Sequence, residues 1–291
     1  MSGSRGMVVA VTGAARGIGR STAELLVAHG AKVGIGDLDA DLASEVAARL
    51  GSSAVASTMD VSNSASFDRF LDKVESSFGR IDALVNNAGV MPLGAFMEQG
   101  APSAETTIAV NLQGVIIGTK LAASRMKAKG RGQVVNVASM GGRVAIPGAA
   151  VYTASKFGVV GFTEALRREL RGSGVHVSLV LPTMVDTELS GGVPVGRGFH
   201  SVSADAVARG IVRAIESGRS RDVYVPRWML IVDVCSRVFP APVMNGLRWL
   251  LQDDRVLRSL DSAAREEYEG RIGRVSRGME TPFRETDPSR N

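Results

Sequence analysis

Short apolar runs that end in glycine alternate with stretches of helical periodicity along most of this chain. Met7-Val8-Val9-Ala10-Val11-Thr12 runs apolar into a glycine turn, as a strand buried on both faces does. The same pattern predicts strands over residues 31–36, 53–59, 81–85, 133–138, 175–181 and 222–225. Helical periodicity covers 20–29, closed by Gly30, then 65–78 with Gly79 just beyond, and a long stretch over 102–129. A further helix opens at Tyr152, and another covers 203–217. Strands alternating with helices in this way form a parallel sheet of about seven strands covered on both faces, a doubly wound α/β fold.

The first turn carries chemistry. Thr12-Gly13-Ala14-Ala15-Arg16-Gly17-Ile18-Gly19 lies between the first strand and the first helix. Glycines there let the backbone approach a pyrophosphate, and the helix N-terminus offers free N–H groups and partial positive charge. This is the setting of a Rossmann-type dinucleotide site. Asp37 ends the second strand eighteen residues beyond Gly19, close to where such folds place the acidic ligand of the adenosine ribose. An aspartate there favours NAD and repels the 2′-phosphate of NADP. Arg16 pulls the other way and keeps NADP as the alternative. A plain turn or N-cap role is the competing reading of Asp37, and Asp39 could fill that role instead.

Asn86-Asn87-Ala88-Gly89 follows the fourth strand, at the sheet end where open α/β folds bind ligands, although alone it could be a turn. Asn111 stands inside the long helical stretch, where asparagine is mildly unfavourable and invites a reason. Ser139 ends the fifth strand. Tyr152 and Lys156, four residues apart, share one helix face. A cation beside a phenol favours the phenolate and brings tyrosine toward acid–base work at neutral pH. By itself that spacing also fits an ordinary surface helix.

Composition narrows the function classes. In 291 residues there are 34 Lys and Arg against 29 Asp and Glu, a net charge of +5, with 45% hydrophobic positions. All six lysines stand at or before Lys156 and the arginines are interspersed with acids, so no nucleic-acid surface is expected. The single Cys235 gives neither a disulfide framework nor a metal cluster and fits a reducing cytoplasm. The first residues show no signal-peptide pattern.

The ordered set of TGAARGIG at residues 12–19, Asp60-Val61, the Asn-Asn-Ala-Gly turn, Asn111, Ser139 and Tyr-Thr-Ala-Ser-Lys at 152–156 resembles the short-chain dehydrogenase/reductase family in its compact form. The thirteen-residue step from Ser139 to Tyr152 is the family's own. The likeness spans about residues 7–225. It implies an NAD-dependent oxidoreductase that interconverts a secondary alcohol and a ketone, with an NADPH-dependent carbonyl or ketoacyl reductase as the alternative. A non-catalytic dinucleotide-binding protein is the reading from a different class. The resemblance implies that Tyr152 is the general acid/base and that Lys156 lowers its pKa and bonds the nicotinamide ribose. Ser139 would polarise the carbonyl, and Asn111 would hold a relay water. Gly13, Gly17, Ile18 and Gly19 would form the pyrophosphate turn, with Arg16 beside them. Asp37 would take the ribose, and Asp60 with Val61 the adenine. Asn87, Ala88 and Gly89 would line the cleft, Asn87 also bracing the central strands. Pro182, Val185 and Thr187 would lie at the nicotinamide end. Ser139 as a turn serine and Thr187 as a helix cap remain the plain readings. A homo-oligomer, dimer or tetramer, through the helices of Asn111 and Tyr152 is also implied. The family usually has Pro-Gly after the sixth strand; here Pro182-Thr183 stands, and threonine does not take positive φ cheaply.

Substrate choice is expected in the loop over 188–202, whose glycines and few charges suggest a lid and no ionic substrate. Met91, Pro92, Leu93, Phe96, Met97, Val144, Ile146 and Met184 are apolar candidates near the cleft, each equally readable as ordinary core; with the sparsely charged loop they suggest a hydrophobic, lipid- or steroid-like alcohol. The organisation expected is a catalytic domain over 1–226 and a C-terminal helical extension over 227–291. The apolar stretches 228–232 and 247–251 are too interrupted by charge and proline to span a membrane. The extension could cover the cleft, form a subunit interface, or lie on a membrane surface, the last being disfavoured. From Glu280 the chain is polar and is expected to be poorly ordered when alone.

Overall fold

A computed structural model describes residues 3–193 and 200–240, together with 242, 257, 260, 261, 265, 266, 268–270, 272 and 273. In chain order it contains β1 (Val8–Thr12), α1 (Gly17–Ala28), β2 (Lys32–Asp37), α2 (Ala40–Leu50), β3 (Ala54–Thr58), α3 (Ser64–Phe78) and β4 (Ala83–Asn86). Then follow α4 (Ala101–Ile108), a π turn (Ala109–Gln113), α5 (Gly114–Ala128), β5 (Gly132–Val137), α6 (Ala150–Glu169) and β6 (Val175–Pro182). The short β7 (Val185–Asp186) and β8 (Val202–Ser203) precede α7 (Ala204–Glu216), β9 (Asp222–Val225) and α8 (Met229–Val238).

Seven strands pair in the order β3-β2-β1-β4-β5-β6-β9, every pair parallel. The chain runs outward from β1 to β3, then returns to β4 on the other side of β1. The crevice at that reversal, beyond the C-terminal strand ends, is where such a sheet binds ligand. All five residues of β1 are buried, because helices cover both faces. Alternate side chains feed separate cores. Val9 and Val11 pack with Leu26, Val46 and Ile211 beneath α1, α2 and α7. Val8 and Ala10 pack with Phe67, Phe70 and Met126 beneath α3 and α5. Each fully buried Phe stabilises the fold by about 1.5–3 kcal/mol.

The helices begin and end for local reasons. Asp39 caps α2 by accepting the Leu42 N–H at 3.2 Å, and Asn63 caps α3 by accepting the Ser66 N–H at 2.9 Å. Gly79 closes α3 in the left-handed region at φ 83°. Three features differ from the sequence reading. Helix α2 was not anticipated. The long helix over 102–129 is interrupted by a π turn that contains Asn111, and such turns recur at functional sites. Thr183 continues the ladder by donating its N–H to Val225 O at 2.9 Å, so the turn after β6 is accommodated without a glycine there.

Beyond β9, α8 is tied back through Asp233. Its carboxylate accepts the Tyr224 hydroxyl and two N–H groups of Arg237, both at 3.0 Å. Among the described residues no helix is long and apolar enough to cross a membrane. Residues 247–251 and the polar tail from Glu280 lie outside the described residues.

Candidate active site

A cavity of about 1020 Å³ runs along the C-terminal strand ends, from the glycine turn to Tyr152. Its first end is built by close backbone approach. A Cβ on Gly13 would lie 2.8 Å from Ala88 Cα, and one on Gly19 would lie 2.1 Å from Gly13 O. Only glycine permits this packing, and Gly13 also takes φ +62°. Helix α1 begins at Gly17, and its N-cap residue Arg16 supplies no side-chain cap, so the first turn presents its N–H groups toward the cavity end. The Thr12 hydroxyl accepts the N–H groups of Asn87 and Ala88 at 2.9 and 3.0 Å. Asn87 Nδ2 returns bonds to the carbonyls of Thr12 and Gly13. Thr12 was not assigned a role from sequence, although it opens the motif; its partners are main-chain N–H groups.

Asp37 accepts the Ala15 N–H at 3.0 Å and the Asp39 N–H at 3.1 Å, which aims its carboxylate at the cavity edge. The capping task falls to Asp39. Arg16 is held between Asp39, at 2.6 Å, and Glu188, at 3.3 Å. Its charge is thus already matched by two carboxylates. Asp60 accepts the N–H and hydroxyl of Ser62, and with Val61 it lines the cavity. Ile18, Gly89, Pro182, Val185 and Thr187 line it too. A glycine turn stripped of side chains, uncapped helix N–H groups and an aligned aspartate fit a dinucleotide.

At the far end Tyr152 and Lys156 are both buried on α6. Lys156 Nζ donates to Val137 O at 3.1 Å and stands 5.7 Å from the Tyr152 ring centroid. Burial lowers its pKa to about 8. Burial pushes the Tyr152 phenol above its ordinary value, and a hydrogen bond with the Ser139 side chain opposes that shift. Ser139 is itself oriented by accepting the Gly141 N–H at 3.0 Å. Asn111 is fully buried; it accepts the Val90 N–H and donates to Val90 O, both at 2.8 Å, and to Ser155 Oγ at 3.2 Å. Both amide protons being committed, any water here must donate to an oxygen of Asn111. Gly89 keeps this space open, since a Cβ on it would lie 3.2 Å from Asn111 Oδ1 and 3.7 Å from Lys156 Nζ.

The structure therefore brings Asn111, Ser139, Tyr152 and Lys156 to one end of the cavity and the glycine turn and Asp37 to the other. Of the apolar candidates, Met91, Leu93, Ile146 and Met184 line the cavity. Pro92, Phe96, Met97 and Val144 do not. Phe96 and Met97 are exposed, and Val144 packs beside Val160 in a core cluster. Part of the expected lid, residues 194–199, lies outside the described residues. Tyr268 and Ile272, missed in the sequence, also line the cavity.

Residues 7–195 match the family model described as short chain dehydrogenase. The chain is 41% identical over 187 residues to D-threitol dehydrogenase of Mycolicibacterium smegmatis, covering 63% of this chain and 72% of that one. It is 35% identical over 189 residues to the 3-alpha-(or 20-beta)-hydroxysteroid dehydrogenase of Mycobacterium tuberculosis, covering 65% and 73%. Among solved structures, a short chain dehydrogenase/reductase from Burkholderia phymatum in complex with NAD superposes with a TM-score of 0.73 at 28% identity, over 80% of this chain and 93% of that one.

Proposed function

The chain belongs to the short chain dehydrogenase family, and on that premise we propose that it is an NAD-preferring dehydrogenase of bulky, hydrophobic secondary alcohols. Membership makes it an oxidoreductase that moves hydride between a nicotinamide cofactor and a CH–OH carbon. The observation that carries the finer reading is the cavity itself: its cofactor end is carboxylate-rich, and its Tyr152 end is walled by Met91, Leu93, Ile146, Val193 and Ile272. No lysine or arginine other than Lys156 lines that second end among the described residues. Relatives named for threitol and for hydroxysteroids bracket the substrate size, and the apolar wall favours the larger class.

In this reading the turn of Gly13, Gly17, Ile18 and Gly19 holds the diphosphate, and Asp37 accepts the adenosine ribose hydroxyls. Asp60 and Val61 border the adenine, while Asn87, Ala88 and Gly89 support the middle. Pro182, Val185 and Thr187 hold the nicotinamide end. The nicotinamide, when bound, supplies the hydride acceptor. Tyr152 takes the proton from the alcohol oxygen, and the Ser139 hydroxyl fixes that oxygen beside it. Lys156 stabilises the phenolate and hands the proton on past Gly89 toward water held by an Asn111 oxygen. The enzyme works in the cytoplasm, consistent with the lone Cys235. The half-exposed Ile108, Ile116 and Phe157 on α4–α6 support pairing of copies through those helices.

Initial rates on a panel of secondary alcohols, with NAD and NADP side by side, test the proposal. Bulky apolar alcohols with NAD should turn over fastest. Faster turnover of a small charged or polyhydroxy alcohol would overturn the substrate class, and a preference for NADP would overturn the cofactor assignment.

A further inference from the structure

The family match ends at residue 195, yet a side chain seventy positions later reaches the cleft. Arg265 is fully buried, at 0% exposure. A buried guanidinium is costly unless its N–H groups are bonded. Here they are bonded to main chain. One terminal nitrogen donates to Met91 O at 2.6 Å; the other donates to Gly191 O at 3.0 Å and to Leu189 O at 3.3 Å. The Glu269 carboxylate is 3.5 Å away and about half exposed, a weak counter-charge.

Those three carbonyls belong to two separate walls of the cleft. Met91 follows the Asn-Asn-Ala-Gly end of β4, and Leu189 and Gly191 follow Thr187. The guanidinium also stacks 4.9 Å over the Tyr268 ring, whose hydroxyl accepts the Met91 N–H at 2.7 Å. Both backbone groups of Met91 are therefore taken by Arg265 and Tyr268, much as a neighbouring strand would take them. Asp261 adds a bond from its N–H to Gly192 O at 3.1 Å. With the backbone fixed in this way, Tyr268 and Ile272 line the same cavity as Tyr152, and Leu260 packs with Leu93 and Tyr152.

We infer that Tyr268 and Ile272 are specificity-determining residues that limit substrate size, and that Arg265 is a positioning residue clamping the two cleft walls. The inference rests on the reading of this cavity end as the alcohol site. A phenol and a branched alkyl group lining the cavity that holds Ser139 and Tyr152 suit an extended or multi-ring apolar alcohol. Carbonyls as partners explain why arginine is needed: one planar fork reaches both walls at once, and the single point charge of lysine does not.

The experiment measures kcat and KM across secondary alcohols of increasing size at saturating NAD, with NAD affinity followed separately by fluorescence titration. Ile272→Trp should lower the ratio of kcat/KM for the largest to the smallest active alcohol at least tenfold, and Ile272→Ala should raise it. Arg265→Met should raise alcohol KM at least tenfold while the NAD Kd moves less than twofold, with Arg265→Lys recovering only part. A size ratio unmoved by both Ile272 variants, or an NAD Kd that rises with alcohol KM, would overturn the inference. Should Arg265→Met not fold, the Ile272 pair still decides the size limit and Arg265→Lys still reads the KM and Kd split. A wild-type preference for polar alcohols defeats the hydrophobic substrate class, yet the size ratio within whichever series is active still tests the wall.

Discussion

Arg16 and Asp39 meet at 2.6 Å across the mouth of the glycine turn. The guanidinium that could have received a 2′-phosphate is instead paired with the residue that caps α2, and Glu188 approaches it from the other side. An incoming phosphate must therefore displace a carboxylate and also sit beside Asp37.

From that arrangement, Asp39→Ala should raise kcat/KM with NADP about tenfold, because a freed Arg16 can make a charge-assisted bond to the phosphate. Asp37→Ser should lower kcat/KM with NAD by about tenfold or more, the scale of losing hydrogen bonds to a charged acceptor. Steady-state kinetics with both cofactors check this. No gain with NADP in Asp39→Ala would show that Arg16 does not point to the ribose site.

Tyr152→Phe removes the hydroxyl proposed to accept the proton and leaves the ring. Turnover should fall about 10²–10⁴-fold, the usual contribution of a positioned acid–base group. Cofactor affinity should be retained, because the glycine turn and Asp37 lie at the other end of the cavity. Equal loss of NAD binding and of turnover would mean that the phenol acts through the fold and not through the proton.

Much of this site was legible because it is written in residues with distinctive chemistry at fixed chain distances. The glycines of the turn, Asp37, Ser139 and the Tyr152–Lys156 pair all fall where the strand and helix pattern placed them. The choice between Asp37 as ligand and as cap was open in sequence, and geometry assigns the cap to Asp39. Arg265 was not legible, since its partners are main-chain carbonyls and any residue could supply those. Phe96 and Met97 mislead for the converse reason: an apolar residue in a loop does not reveal whether it faces the cleft or solvent. Helix α2 carries a period of its own, since Leu42, Ala43, Val46, Ala47 and Leu50 recur at helical spacing and pack on the core.

Burial sets the pH profile. With Tyr152 as the proposed base, alcohol oxidation would need its phenolate, and the phenol pKa is raised by desolvation. The oxidative rate should therefore climb with pH, by about tenfold per unit while the phenolate is the minor form. Ketone reduction needs the protonated phenol and should be favoured at lower pH. Lys156, with a pKa near 8, stands beside the phenol, so the measured value belongs to the coupled pair. A flat oxidative profile between about pH 7 and pH 9 would contradict a tyrosine base.

The same lysine should make the free enzyme less stable than it could be. Lys156 holds its proton only to about pH 8 in the fold, against an ordinary lysine value of 10.5. Between those values the unfolded chain binds more protons, so stability from this group rises as pH climbs through that window. Below about pH 8 the whole penalty applies, on the order of 3 kcal/mol. Lys156→Met deletes the buried charge and also loses the bond to Val137 O, which offsets part of the gain. At pH ~7 the variant should be more stable by about 1–3 kcal/mol while its turnover collapses, a trade of stability for a functional charge. Urea unfolding at pH ~7 and again near pH ~10.5 checks both claims. The stability difference should shrink at the higher pH, where the folded lysine is neutral and the unfolded one only about half protonated. A variant less stable than the parent at pH ~7 would show that the Val137 bond outweighs desolvation.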